Sequence, residues 1–267
     1  MSTDAVPSAG APNAAMDAWR LYARHAARLV AAGPAPEVWH GTAAFGASAG
    51  LPYADVNQVA LYGAASPDEV AAALGVVTAA GVPAVLARSD RLADAHDAAI
   101  AAAGFARQSA REMLFSLRGL PDPVAGPYTV RPIAEQSDLA ALLPIAREVH
   151  GYDDATTLLL LGAPALSGGP LAGWLAWAGD AAVGCAFVTT IGRTLGLWSV
   201  MTPTAHRRRG VGSAVVRAAL RGAADRIGAS AEQTVFWASP AGGAFYAALG
   251  FVPVDTFDLW VRAGNAA

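Results

Sequence analysis

One stretch constrains the fold more than any other: Thr202-Pro-Thr-Ala-His-Arg-Arg-Arg-Gly-Val-Gly-Ser213. An apolar strand pattern, Thr194 to Met201, runs into it, and a helix pattern, Val211 to Ile227, runs out of it. The order strand, basic glycine-containing turn, helix aims several main-chain N–H groups at one spot, at the positive end of a helix. Gly210 and Gly212 have no Cβ to keep an anion away from that backbone. Arg207, Arg208 and Arg209 add charge beside it. The pattern predicts a phosphate or pyrophosphate pocket within an α/β architecture.

Composition narrows the chemistry. All 18 basic side chains are arginine and there is no lysine. A Walker-type phosphate loop and Schiff-base catalysis both need lysine, so neither is open to this chain. Cys185 is the single cysteine, which excludes an internal disulfide and leaves no cysteine zinc site. It lies mid-strand and reads as packing. His25, His40, His96, His150 and His206 are scattered, so no metal is expected. The net charge of −3 argues against a nucleic-acid surface. Residues 1–14, rich in Ala, Pro and Ser without a basic start, read as a disordered tail rather than a targeting signal. The uncharged run 155–179 is broken by Pro164 and by Ser167-Gly-Gly-Pro170, which argues against a membrane span. A cytoplasmic protein is the expectation.

Along the chain, an amphipathic helix is predicted over 15–32, then strand 57–63, helix 66–80, strand 82–88, helix 90–103 and strand 108–117. Ser66 and Glu69 form a capping-box pattern. Residues 119–127 read as a Pro/Gly-rich linker. The second half restarts at Tyr128, with helices over 137–150 and 156–161, and strands over 171–178, 182–191 and 194–201. The helix after the basic turn is followed by strand 233–239, helix 243–249 and strand 254–261. Both halves end in helix, strand, helix, Gly-Phe, strand, with Gly104-Phe105 matching Gly250-Phe251. That fits an internal duplication, with two ordinary α/β units as the competing reading; either way two units are predicted, each with its own mixed sheet. The first half has no arginines or glycine pair where the second has its basic turn.

Two segments together carry a resemblance. Arg207-Arg-Arg-Gly-Val-Gly212 is similar to an Arg/Gln-x-x-Gly-x-Gly/Ala motif, and Ser239 to Phe251 to an Asn-x-x-Ala-x-x-x-Tyr-x-x-x-Gly-Phe segment. Ser239 stands in place of the Asn and Gly242 in place of the Ala. Residues 128–262 thus resemble the GCN5-related N-acetyltransferase (GNAT) superfamily. The resemblance implies a mixed, mostly antiparallel sheet flanked by helices, α/β or α+β by class, in two tandem copies. These would be a degenerate first copy over 15–118 and a catalytic domain over 128–267.

It also implies acetyl-CoA as cosubstrate. The cofactor side would be built from Val200, Met201, Thr202, Arg207, Arg208, Arg209, Gly210, Val211, Gly212, Ser213 and Ser239. Tyr246 would be the acid that protonates the leaving thiolate. The acceptor would be a small-molecule or peptide amine, and the protein a monomer or homodimer. Among Glu148, His150, Tyr152, Asp153 and Asp154, Glu148 is the candidate base, and a solvated surface carboxylate is the competing reading. Trp198 and Trp237 are candidates for the cleft edge. A sensor that binds acyl-CoA without turnover is the alternative function.

Overall fold

The computed structural model describes residues 12–265 except Ala93, Val124, Ala125, Pro170 and Ala229. Most of the expected tail lies outside the described residues, and the first helix, α1 (Pro12–Val30), already starts at Pro12. Its Trp19, Tyr22, Ala26 and Leu29 are buried, as their spacing on one face requires.

The first half continues with β1 (Glu37–His40), β2 (Ala44–Ser48), β3 (Asn57–Leu61), α2 (Pro67–Ala79), β4 (Ala84–Ser89), α3 (Asp97–Ala102) and β5 (Phe105–Arg118). The second half runs β6 (Thr129–Pro132), α4 (Gln136–His150), α5 (Asp154–Thr157), a π-helical turn (Leu158–Gly162), α6 (Ala163–Leu166), β7 (Leu171–Ala178), β8 (Ala181–Ile191) and β9 (Thr194–Met201). It ends with α7 (Val211–Arg226), β10 (Gln233–Ala238), α8 (Pro240–Ala247) and β11 (Val252–Arg262). The helix expected over 90–103 is shortened to Asp97–Ala102, with a 3-10 turn before it. Arg88, buried on β4, explains this: its guanidinium binds Asp94, Asp97 and Asp258, and so pulls the preceding segment into a turn.

The expectation of one sheet per half is corrected. The described strands form a single eleven-stranded sheet, in the order β1-β2-β3-β4-β11-β5-β10-β9-β8-β7-β6. The final strands have changed places. β11 lies beside β4 of the first half, and β5 lies beside β10 of the second. β5 and β11 run antiparallel to each other at the centre, from Val252↔Ser116 to Arg262↔Phe105. Counted outward from that pair, the two sides match. Each has an antiparallel neighbour, then a parallel step (β4–β3 and β10–β9), then antiparallel strands.

Helices cover both faces. α1 packs across β2, β8, β9, β10 and β11, so it spans both halves. Trp19 donates its Nε1–H to Asp255 of β11 at 2.7 Å. The α1 face of the sheet buries Trp19, Tyr22, Phe45, Leu114, Phe257 and the α4 residues Leu139, Leu142 and Ile145. On the other face, α7 and α8 cover Phe115, Phe236 and Phe251. Truncating Trp19, fully buried, would cost about 3–5 kcal/mol. Among the described residues no helix is long and apolar enough to cross a membrane.

Candidate functional site

The site lies where the second half's parallel step opens. β9 and β10 pair only over Thr194–Gly196 and Gln233–Val235. Beyond Gly196 the β9 edge that faces β10 has no strand partner among the described residues, so main-chain donors and acceptors near Val200 remain available inside the sheet. The opening coincides with a bulge. On β8, Cys185 opposes Met201 and Phe187 opposes Trp198, so two residues of β9, Ser199 and Val200, stand against one of β8. Ser199 has φ 45°, a left-handed conformation that a serine adopts at a cost of about 1–2 kcal/mol.

After β9 the chain enters the basic turn. Arg208 has φ 58° and Gly210 φ 85°. Alternation into the left-handed region turns successive N–H groups to one side, the geometry of an anion nest. Gly210 is the N-cap of α7; among the described residues no side chain caps this helix, and its first turn holds no acid. The N–H groups of the first turn have no acceptor within the helix. In the first half the same location, the start of α2, is closed. Ser66 Oγ accepts from the Glu69 N–H at 3.2 Å. The Glu69 carboxylate accepts from the N–H of Ser66 (3.0 Å) and from the N–H and hydroxyl of Thr42 (2.7 and 2.8 Å). These bonds hold the Glu69 carboxyl below its ordinary range. An internal carboxylate sits where an external anion would bind. β3 and β4 also stay paired to the end, Leu61↔Arg88, so no gap opens there.

Two cavities meet at the β9–β10 gap, one on each face of the sheet. On the α7 side, a cleft of about 580 Å³ runs along the basic turn and is lined by Val200, Thr202, Arg207, Arg208, Gly210 to Ser213, Ser239 and Tyr246. The structure therefore brings together most of the expected cofactor residues. Met201 does not line the cleft; its side chain is fully buried. Arg209 is exposed, and its carbonyl accepts the Tyr128 hydroxyl at 2.9 Å. On the α1 side, a cavity of about 340 Å³ is walled by Leu29, Leu160, Leu161, Trp198, Phe236 and Trp237. Val200, Ser239 and Tyr246 border both spaces.

Tyr246 thus stands at the junction, against Phe236 (ring centroids 4.3 Å) and Phe245 (4.7 Å). Burial raises its phenol well above the usual value, so the proton stays on oxygen at neutral pH. Cys185, also raised by burial, is a packing residue, as expected.

Glu148 is placed differently from the expectation of a base. Its carboxylate accepts the Thr204 N–H at 2.7 Å, is held below the ordinary range by that bond, and lines neither cavity. It fastens the segment leading into the basic turn. Asp153 caps α5 through the Thr156 N–H (2.7 Å), and Asp154 pairs with Arg147. His150 and Tyr152 do reach the α1-side cavity. So do three polar side chains of the first half that sequence reasoning missed: Asp55, Gln58 and Glu112. The signal for Glu112 was in the alternation of β5, which puts it in phase with buried Leu114 and Ser116. Among the described residues no group of three His, Cys, Asp or Glu is placed to hold a metal ion.

Residues 171–253 match the family model described as an acetyltransferase (GNAT) domain. The matched stretch takes in β7 to β10, the basic turn and Tyr246. The solved structures extend the likeness of fold across both halves. A GCN5-related N-acetyltransferase from Kribbella flavida superposes with a TM-score of 0.60 at 19% identity, covering 90% of this chain and 96% of that one. One from Sphaerobacter thermophilus gives 0.57 at 15%, covering 82% and 76%. A tandem GNAT protein from the clavulanic acid biosynthesis pathway gives 0.56 at 15%, covering 96% and 97%. At such identities these show the fold alone. No curated protein matches the sequence. A GNAT domain supports acetyl transfer from an acyl-CoA, and the cleft along the basic turn is suited to such a donor: an uncapped helix end for a diphosphate and a free strand edge for amides.

Proposed function

We propose that the protein is an acetyl-CoA-dependent N-acetyltransferase that acts on a primary amine. The observation that carries this reading is the pair of cavities joined through the β9–β10 gap. Donor and acceptor approach from opposite faces and meet beside one phenol. The turn 207–213 would hold the diphosphate through the first-turn N–H groups of α7, with Arg207 and Arg208 beside them. The free edge of β9 at Val200 to Thr202 would take the amides of the donor's arm as a short added strand. Pro203 has no N–H, so that pairing stops there.

The chemistry is direct transfer. The neutral amine attacks the thioester carbonyl, a C–N bond forms, and the oxyanion is met by main-chain N–H of the β9 bulge. As the C–S bond breaks, Tyr246 gives its proton to the sulfur. The tyrosinate recovers a proton from the new amide nitrogen through water. The first half is a copy of the same unit whose donor site is filled by Glu69. Thiol release from acetyl-CoA tests the reading. Tyr246→Phe should lower kcat about 100-fold and leave the Kd for CoA within twofold. Tight acetyl-CoA binding without thiol release for any amine would instead favour a sensor.

A further inference from the structure

The α1-side cavity is built by both halves, and its charge comes from the first. Asp55 stands in the turn before β3, and Glu112 on β5. Among the described residues no arginine lines the space. His150 is the one basic side chain there among the described residues, and burial lowers its pKa, which keeps it neutral. β5 and β10 register as Leu114↔Trp237 and Met113↔Ala238, so Glu112 stands one step further on, level with Ser239 at the junction of the two cavities. Among the described residues Glu112 has no hydrogen-bond or ion-pair partner. Asp55 is nearer the mouth, with its side chain 46% exposed. It accepts a hydrogen bond from the Tyr152 hydroxyl and lies 3.6 Å from His150 Nδ1. The same space is lined by apolar and aromatic side chains, among them Leu29, Val56, Trp198 and Trp237.

We propose that Glu112 is the base that deprotonates the acceptor amine, that Asp55 holds a second cationic group, and that the acceptor is a small organic dication with an apolar middle. This rests on the acetyl transfer proposed above. Burial raises the Glu112 carboxyl above the ordinary range, which brings it closer to a proton acceptor's working pH. The ammonium gives one proton to the Glu112 carboxylate, which returns it to water after the C–N bond has formed and the thiol has left. One proton is released per turnover. The first half, without a donor site of its own, thereby supplies the charged groups of an acceptor site that both halves build.

Three probes share one scaffold and differ only at the para position. These are p-xylylenediamine (a second cation), benzylamine (neutral) and 4-(aminomethyl)benzoate (an anion). Thiol release from acetyl-CoA should give kcat/KM falling in that order. Glu112→Gln should lower kcat about 100-fold on p-xylylenediamine, with CoA affinity and melting temperature kept. The defect should shrink on 2,2,2-trifluoroethylamine, which is already neutral at assay pH. Asp55→Asn should raise KM for p-xylylenediamine about fivefold and shift that for benzylamine less. Should Glu112→Gln turn over at the wild-type rate, or the benzoate prove the best substrate, the inference falls and the acetyl transfer stands. Absence of thiol release from wild type with every amine would overturn both.

Discussion

The contrast between the starts of α7 and α2 can be turned into a single substitution. Glu69 is the third helical residue of α2, and Ser213 is the third of α7. Ser213→Glu therefore places a carboxylate in the open helix end, as the first half already has. A carboxylate about 6 Å from one phosphate charge is repelled by about 3 kcal/mol at an effective dielectric constant of about 20. Salt at about 0.15 M and the nearby Arg217, whose Nε donates to Ser213 Oγ at 3.3 Å, would roughly halve that. The expected loss is about 1.4 kcal/mol, or about tenfold in the Kd for CoA. Stability should move the other way. An acid in the first turn of a helix contributes about 0.3–1 kcal/mol, a rise of about 1–3 °C in Tm. Titration calorimetry with CoA and a thermal melt read the two effects, with Ser213→Gln as the control for size. Equal affinity of the Glu and Gln variants would refute the assignment of this helix end to an anion.

Other outcomes follow from groups away from the junction. Glu69→Ala should lower the melting temperature by opening the α2 cap and leave CoA affinity unchanged; weaker CoA binding would place the first half in the donor site. His25, fully buried on α1, bonds through Nδ1 to Thr189 at 2.8 Å and through Nε2 to Thr194 at 3.2 Å, and burial lowers its pKa to about 3. The unfolded chain protonates it near pH ~6.5, so between these values the unfolded state binds more protons and stability falls as pH drops. From this residue wild type should lose about 2 kcal/mol between neutral pH and about pH 5, and His25→Gln should flatten that slope in urea titrations. A slope unchanged by the substitution would show that the imidazole is already protonated or exposed.

What was legible in the sequence was local. The basic turn, the open glycines and the two helices beside the gap are set within short windows, so 194–227 could be read without the rest. The capping box at Ser66 and Glu69 was equally local, and both of its bonds are present. The β1–β2 hairpin went largely unread because Ala44-Phe-Gly-Ala-Ser48 is mostly small residues with little strand preference; its pairing with β3 makes it a strand. The single sheet was not legible for a different reason. Arg262 pairs with Ala84 and Val252 with Ser116, contacts that no periodicity encodes. Because the halves looked separable at 119–127, the base was sought only on the second half's helices, at Glu148. The carboxylates that line the α1-side cavity come from Asp55 and Glu112, which that division had set aside.

The crossing of β5 and β11 also bears on how the chain is made. β4 and β5 emerge from the ribosome early, yet in the finished sheet they are not neighbours; the slot between them belongs to residues 252–262. The first half must therefore wait, with two strand edges unsatisfied, until residues 252–262 have been translated. A fragment cut at the apparent linker would leave β10 and β11 without β5, exposing edges prone to aggregate. Neither half can be discarded or expressed alone without dismantling the other.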